Sequence, residues 1–326
     1  MAEGILVIGE IAEGQLAQVS GELIGAARQI ADAQGGLVNV ALFGEGAEGL
    51  AQEAIALGAD LVYTEDNAAL SEYLPERWLT AAQTAVDFAD PAVIIASTTP
   101  AGRDLATRLA FRLNTGLAQD VIEFEVQGDK VLWTRPCYGG AARAVVSVNT
   151  SPVIATIRAK TQESPEADAS RSGDTIPLGV ELGGDEREKL VNKQIEEKEG
   201  IQLEEAAVVV SGGRGLGGPE GFQPLEELAG VLGAAVGASR AVCDLGWYPP
   251  SQQVGLTGKT VSPDLYIAVA ISGASQHMSG MAGSKTVVAI NKDPESNMVK
   301  TARYAIIGDF KQVLPALTQE IKRLKG

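Results

Sequence analysis

The residues of this chain best suited to chemistry are one histidine and a group of arginines, serines and glycines in its C-terminal part. His277 is the only histidine in 326 residues and ends the run Ser272-Gly273-Ala274-Ser275-Gln276-His277. Beside an anion, a histidine can hold negative charge by hydrogen bonding and by its own proton, the ring's reference pKa being about 6.5. Arg214 lies in VVVSGGRGLGG (208–218), where glycines after an apolar run let backbone N–H groups approach a phosphate and the arginine adds charge. That run has neither the Gly-Lys-Ser/Thr of a Walker loop nor the acidic ribose ligand of a dinucleotide fingerprint, so taken alone a plain turn explains it equally well. Ser239-Arg240 starts the long polar connection ASRAVCDLGWYPPSQQVGLTGKTVSPDLY (238–266), with Gln253, Thr257 and Lys259 beyond the Pro249-Pro250 break. Loops of that length inside compact domains are uncommon unless functional. The plain alternatives are a surface salt bridge for Arg240 and turn-satisfying roles for Gln253 and Thr257. Ser272 lacks the Gly-x-Ser-x-Gly elbow of a serine hydrolase, and with no second histidine or cysteine cluster metal catalysis is disfavoured.

The elements that position these residues are strands apolar at every position. Leu265 to Ile271 runs apolar until Ser272-Gly273-Ala274, and Thr286 to Ile290 stops at Asn291. Such runs mark the interior of a parallel sheet covered on both faces, where ligands sit beyond the carboxyl ends of the strands. Ser272 to His277 and Asn291 are therefore expected at a ligand. A strand over Ala206–Val210, a helix carrying Phe222, Leu225, Leu228, Ala229 and Leu232, and a last helix with Phe310, Val313, Leu314, Leu317, Ile321 and Leu324 on one face complete this second domain.

The first half alternates strand and helix. Strands are expected at Ile5–Ile8, Val38–Phe43, Leu61–Tyr63 and Val93–Ala96, with helices near 16–30, 47–57, 76–89 and 102–113, which is a parallel α/β sheet. Gln127-Gly128-Asp129 reads as the turn of an antiparallel hairpin closing this domain, with Val145–Val148 and Pro152–Ile157 as its last strands. Thr161–Glu199 loses large apolar residues, gains charge and reads as a linker or solvated arm. The domains are thus expected at 1–195 and 196–326.

Lys+Arg 26 against Asp+Glu 42 gives a net charge of −16, which argues against nucleic acid or an anionic membrane as partner. No apolar run approaches the ~20 residues that cross a bilayer, and MAEGILVIGE has no basic leader, so a cytoplasmic protein without membrane insertion is expected. Cys137 and Cys243 read as small packing residues.

Ser-Gly-Gly-Arg-Gly, Ala-Ser-Arg, Gln-Val-Gly-x-Thr-Gly-Lys, Pro-x-Leu-Tyr-Ile-Ala-Val-x-Ile-Ser-Gly-Ala-x-Gln-His and Ala-Ile-Asn-Lys-Asp-Pro-Glu follow one another in this chain. In that order and at close to that spacing they resemble the FAD domain of the electron transfer flavoprotein alpha subunit, over essentially all of 204–326. Gly102-Arg103-Asp104-Leu105 and Arg135-Pro136-x-Tyr138-Gly139-Gly140 extend a looser likeness into the first half. The resemblance implies a Rossmann-like, nucleotide-hydrolase-type parallel sheet in the N-terminal domain and a parallel-sheet FAD-binding domain after it. It implies that Arg214 and the backbone of Ser272, Gly273, Ala274 and Ser275 approach the FAD pyrophosphate. Arg240 would lie against the isoalloxazine, with Ser239 and Thr257 near its N5/O4 edge and His277 near O2. Gln253, Val254, Gly255, Leu256 and Thr257 would line the flavin and ribityl side; Asn291 and Asp309 would hold the adenosine half, and Gln276 and Phe310 are counted in the site. Reduced flavin carries negative charge near N1 and O2, which Arg240 and His277 would stabilise. Three positions depart from the family pattern: Leu256 replaces a common glutamine, Ser275 an aliphatic residue, and Phe310 a leucine. A leucine at 256 cannot make the side-chain hydrogen bond that a glutamine would offer the flavin.

As the resemblance implies it, the chain pairs with a beta subunit and shuttles electrons from flavin dehydrogenases, such as acyl-CoA dehydrogenases, to a quinone oxidoreductase or another acceptor. It performs no bond chemistry on a substrate by itself. Two rivals are weighed: the alpha subunit of an electron-bifurcating complex that oxidises NADH, and a non-redox nucleotide-binding interaction protein on the same scaffold.

Overall fold

The computed structural model describes residues 4–140, 142–183, 187–193 and 201–325. Met1–Pro136 and Arg143–Gln194 form one compact unit; Cys137–Ala142 and Ile195–Gly326 form the other. The expected boundary near 195 lies outside the described residues.

In the first unit the elements run β1 (Ile5–Ile8), β2 (Ile11–Ala12), β3 (Gln15–Leu16), α1 (Gln18–Gln34), β4 (Val38–Phe43), α2 (Ala51–Ala56), β5 (Leu61–Glu65), α3 (Pro75–Ala89), β6 (Val93–Ser97) and α4 (Pro100–Arg112). They continue as β7 (Leu117–Val121), β8 (Glu123–Gln127), β9 (Lys130–Cys137), β10 (Ala142–Val146), β11 (Val153–Ile157) and β12 (Asp174–Pro177). Seven strands make a wholly parallel sheet in the order β12-β5-β4-β1-β6-β11-β7. Its central strands are apolar apart from the buried Asn39 of β4 and Ser97 of β6, because both faces are covered. Ile5 and Val7 of β1 point into the core under α1, whereas Leu6 and Ile8 point into the core under α3 and α4. Proline at the first position of α3 and of α4 suits a helix start, and at α4 the Thr99 hydroxyl accepts from the Gly102 N–H.

The expected hairpin is present. β8 and β9 pair antiparallel around Gln127 and Lys130, and β10 extends them to three strands. Trp133, fully buried, packs against Phe124 at 5.8 Å and joins the core on the α1 side. Two expectations are corrected. β11 is not a terminal strand: it inserts between β6 and β7, the latter an edge strand whose mixed sequence LAQDV gave no apolar run to read. Nor is 161–193 a free linker. Asp174–Pro177 is the opposite edge strand, and Leu178, Val180 and Leu182 pack onto the core beneath α3 and α4. Arg171 Nη2 reaches Asp60 Oδ1 at 3.1 Å, the same carboxylate that takes Arg28 at 2.8 Å, and Arg187 pairs with Glu76 of α3. Pairing of β12 with β5 and the apolar contacts of Leu178, Val180 and Leu182 fasten this strap to the sheet, and its charged residues add ion pairs along it.

The second unit runs β13 (Val208–Gly212), α5 (Gln223–Leu232), β14 (Ala235–Ala238), α6 (Arg240–Asp244), β15 (Leu265–Val269), α7 (Ser275–Met281), β16 (Thr286–Asn291), α8 (Asn297–Thr301), β17 (Tyr304–Ile307) and α9 (Phe310–Lys325). Its five strands are parallel in the order β14-β13-β15-β16-β17. Val210, Ile267 and Ile290 face α5 and α9, while Val209, Tyr266 and Ala289 face the side of Met281 and Met298. From β13 the chain moves first to β14 on one side and then to β15 on the other. The crevice beyond Gly212 and Val269 is therefore the topological switch point.

Candidate functional site

A cleft of ≈ 650 Å³ opens at that switch point, of a size that suits a small-molecule or cofactor site. Gly213-Arg214-Gly215 after β13, Ser239 through Ala241 and Asp244 after β14, Ala270 through Ser272 after β15 and Asn291 with Asp293 after β16 all reach it. Every one of these lies at a strand's carboxyl end. The loop Gln253–Thr257, with Ala274, Gln276 and His277 from the start of α7, supplies the remaining wall.

The floor depends on close backbone contact. Gly213 donates its N–H to Val269 O at 2.9 Å and Gly215 to Ala270 O at 3.3 Å, which sews the glycine loop to the turn after β15. A Cβ on Gly213 would stand 2.2 Å from the Ala270 carbonyl oxygen, so no other residue fits there without moving backbone. Ala270 itself sits at φ 55, a conformation uncommon outside glycine.

The polar side chains divide into those already engaged and those facing the cleft. Gln253 Nε2 donates to Thr257 Oγ1 at 3.0 Å, so the two satisfy each other within their turn. Val254 is buried and gives its N–H to Ala238 O at 2.9 Å; Gly255 and Leu256 are tied by N–H bonds to Lys259 O and Gln276 O. Leu256 presents an apolar side chain that is 67% exposed. Asn291 uses its amide on Ile271 O at 2.9 Å and on Ser296 Oγ at 3.4 Å, which binds the ends of β15 and β16 together. Arg240 Nε stands 3.4 Å from Asp244 Oδ2, one turn along α6, and its side chain is 67% exposed. A pair so open to water adds little stability, which leaves the guanidinium free to turn toward a ligand. Arg214 is exposed at the mouth.

Four expected residues do not line this cleft. Gly273, at φ 82, packs against the Met298 backbone, and the Ser275 hydroxyl turns to Gln276 Oε1 at 3.3 Å. Phe310 belongs to the core and borders a separate recess of ≈ 80 Å³ shared with Gly215, Asn291 and Lys292. Asp309 pairs with Lys292 at 3.0 Å and accepts the Lys311 N–H, contacts that hold its carboxyl below the ordinary range. Sequence reasoning passed over Asp244, Asp293 and Ser296 as lining residues. Asp293 and Ser296 follow directly on Asn291, so the end of β16 was the available signal.

His277 differs most from expectation. It is buried, its Nε2 lies 2.9 Å from Tyr266 Oη, and its Nδ1 is buried without a hydrogen-bonding partner. Desolvation pulls the ring down to about 4, with the Val254 backbone opposing. At neutral pH the imidazole therefore carries no charge. As pH falls, the unfolded chain takes up this proton near 6.5 and the folded chain only near 4, so the contribution is whole above 6.5 and is lost on the way down to 4. Unfolding by urea should accordingly show His277→Asn losing less stability than the parent over that window, the difference approaching about 1.4 kcal/mol per pH unit. Equal slopes would mean the ring is not buried neutral.

Comparison with known proteins agrees with this geometry. Residues 5–180 match the electron transfer flavoprotein domain family, and residues 202–282 match the electron transfer flavoprotein FAD-binding domain family. The electron transfer flavoprotein subunit alpha of Bacillus subtilis is 44% identical over 325 residues, 99% of each chain. That of Thermoanaerobacterium thermosaccharolyticum is 43% identical over 98% of each chain, and that of Mycobacterium leprae 36% identical over the full length of both. The chain belongs to the electron transfer flavoprotein alpha-subunit family.

Proposed function

We propose that this chain holds FAD in the cleft of its second unit and, joined to a beta subunit, carries electrons from flavin dehydrogenases to an acceptor. One observation carries this reading: Arg214, Ser239, Arg240, Thr257 and His277, scattered over the sequence, line a single cleft at the switch point of the unit that matches the FAD-binding family. The residues present suit the cofactor. Two arginines answer a pyrophosphate and a reduced ring, Val254, Ala270, Ile271 and Leu256 give apolar wall, and the orphaned imidazole nitrogen is a polar atom in want of a partner. When bound, FAD takes up and gives back electrons. The protein's part is to hold it, to set positive charge against it through Arg240 and Arg214, and to keep His277 neutral beside it. Acyl-CoA dehydrogenases are one donor class and a quinone oxidoreductase one acceptor. A cytoplasmic location is part of the proposal; no described helix is long and apolar enough to cross a membrane.

The test is to co-purify the chain with its beta partner, count FAD per heterodimer and follow anaerobic reduction. One FAD, reduced by a flavin dehydrogenase and its substrate but not by NADH, is the expected result. Two FADs with reduction by NADH would move the assignment to a bifurcating complex, and a colourless heterodimer would overturn flavin binding altogether.

A further inference from the structure

We infer that the first unit carries a ligand site of its own, a groove at the edge of its sheet in which Arg135 takes the carboxylate of a small molecule with an apolar body. The site shares no residue with the cleft of the second unit, so it stands or falls apart from the flavin reading.

The groove, ≈ 390 Å³, is bounded by the start of β7, the edge strand of the seven-stranded sheet, and by the segment that ends β10 and leaves it. Two contacts shape it. The Gly116 N–H donates to Thr150 Oγ1 at 2.9 Å, and a Cβ on Gly116 would stand 3.0 Å from a Val148 methyl carbon, so the glycine lets this segment close against β7. Leu117, Ala118, Val146 and Val148 give apolar walls, and Ser147 and Asn149 line it as exposed polar residues. Its volume lies at the lower end of the range for small-molecule sites.

Arg135, on β9, is the one ionisable side chain among the described residues that line the groove. It is partly buried, its Nε is shut off from water without an acceptor, and it forms no ion pair among the described residues. Other arginines of this unit are answered: Arg28 and Arg171 share Asp60, and Arg158 takes Asp120. A guanidinium held partly out of water calls for an anionic acceptor, whose charge-assisted hydrogen bonds offset the lost hydration. Its planar fork matches the two oxygens of a carboxylate. One positive charge balances one carboxylate, whereas a phosphate dianion would set a surplus negative charge against apolar walls and call for a second cation, which the lining lacks. The walls then suit hydrocarbon behind the carboxylate. Arg135 also opens the motif Arg135-Pro136-x-Tyr138-Gly139-Gly140, of which the flavin cleft uses no residue.

The test labels the leucine and valine methyls of the full chain with ¹³C, assembles it with unlabelled beta subunit and titrates the heterodimer with sodium hexanoate, following the methyls by NMR. Hexanol, with the same carbon chain and no charge, and inorganic phosphate are titrated separately at matched ionic strength. Hexanoate is expected to move the signals of Leu117, Val146 and Val148 saturably, with hexanol and phosphate at least about tenfold weaker, the scale of one charge-assisted contact. Arg135→Gln should lose hexanoate by a similar factor, and Arg135→Lys, which keeps the charge without the fork, should fall between. Equal responses to hexanoate and hexanol would overturn the proposal, as would phosphate binding more tightly or an Arg135→Gln variant that binds hexanoate like the parent. A parent heterodimer with no saturable shift would overturn it too, and weakened association of the two subunits in Arg135→Gln would then assign the orphaned donor to a subunit contact. The parent titrations decide even if a variant fails to fold, and none of these readings depends on flavin content.

Discussion

A heterodimer carrying Gly213→Ala is expected to purify with little or no flavin, its affinity for FAD lowered by more than about tenfold, equivalent to ~1.4 kcal/mol. The added Cβ would stand 2.2 Å from the Ala270 carbonyl oxygen and 2.7 Å from Ala270 C and Ile271 Cα, all backbone atoms with no rotamer by which to yield. Overpacking of this kind costs on the order of 1–3 kcal/mol. The strain is relieved only by moving the 213–215 loop away from the turn after β15. That breaks the Gly213-to-Val269 and Gly215-to-Ala270 hydrogen bonds and displaces Arg214, so the loss falls on the cleft. Gly230→Ala is the control: it lies on the exposed side of α5, where a Cβ meets nothing, and should leave flavin content intact. Flavin absorbance per heterodimer reads both. Full occupancy in Gly213→Ala would mean that the glycine loop is a plain turn, remote from the ligand.

Arg240→Ala is expected to lower the flavin's midpoint potential by on the order of 60 mV, a tenfold change for a one-electron couple. The guanidinium lies beside Ser239 on the cleft wall, and its one ion pair, to Asp244, is long and solvated. Nothing inside the protein competes strongly for it, so its charge is available to a ring gaining negative charge. The neutral His277 makes the dependence sharper, since the only other positive side chain on the cleft wall among the described residues is Arg214. Arg240→Lys should fall between parent and alanine variant, because lysine keeps the charge but loses the planar fork. Spectroelectrochemical titration of the co-purified heterodimers gives the potentials directly. A potential unmoved in Arg240→Ala would return Arg240 to the role of a surface ion-pair residue.

Local chemistry in the sequence already determined much of this protein. Runs such as Ile5–Ile8 and Leu265–Val269 are apolar at each position because both sides of a parallel sheet are dry, and that requirement is visible in one dimension. Where such a strand stops at small or polar residues, as at Ser272 and Asn291, the stop itself marks the ligand edge of the sheet. Arg214, Ser239-Arg240, Thr257 and His277 could be named for the same reason, each adjoining a strand end or lying in a long polar connection. Edge strands escaped notice. LAQDV at 117–121 and Asp174–Pro177 have one partner strand and partly wet faces, so no apolar run announces them. The charged strap at 161–193 resembled a linker because its anchors, Asp60 and Glu76, lie more than a hundred residues away along the chain. Tertiary structure alone decided what each site residue is free to do. It joined Gln253 to Thr257, engaged Asn291 with Ile271, set Asp309 against Lys292 and drew Phe310 into the core. It also set His277 on a buried phenol. A side chain's charge depends on how much water surrounds it and on which groups lie beside it, and those neighbours, Tyr266 and Val254, come from other segments of the chain.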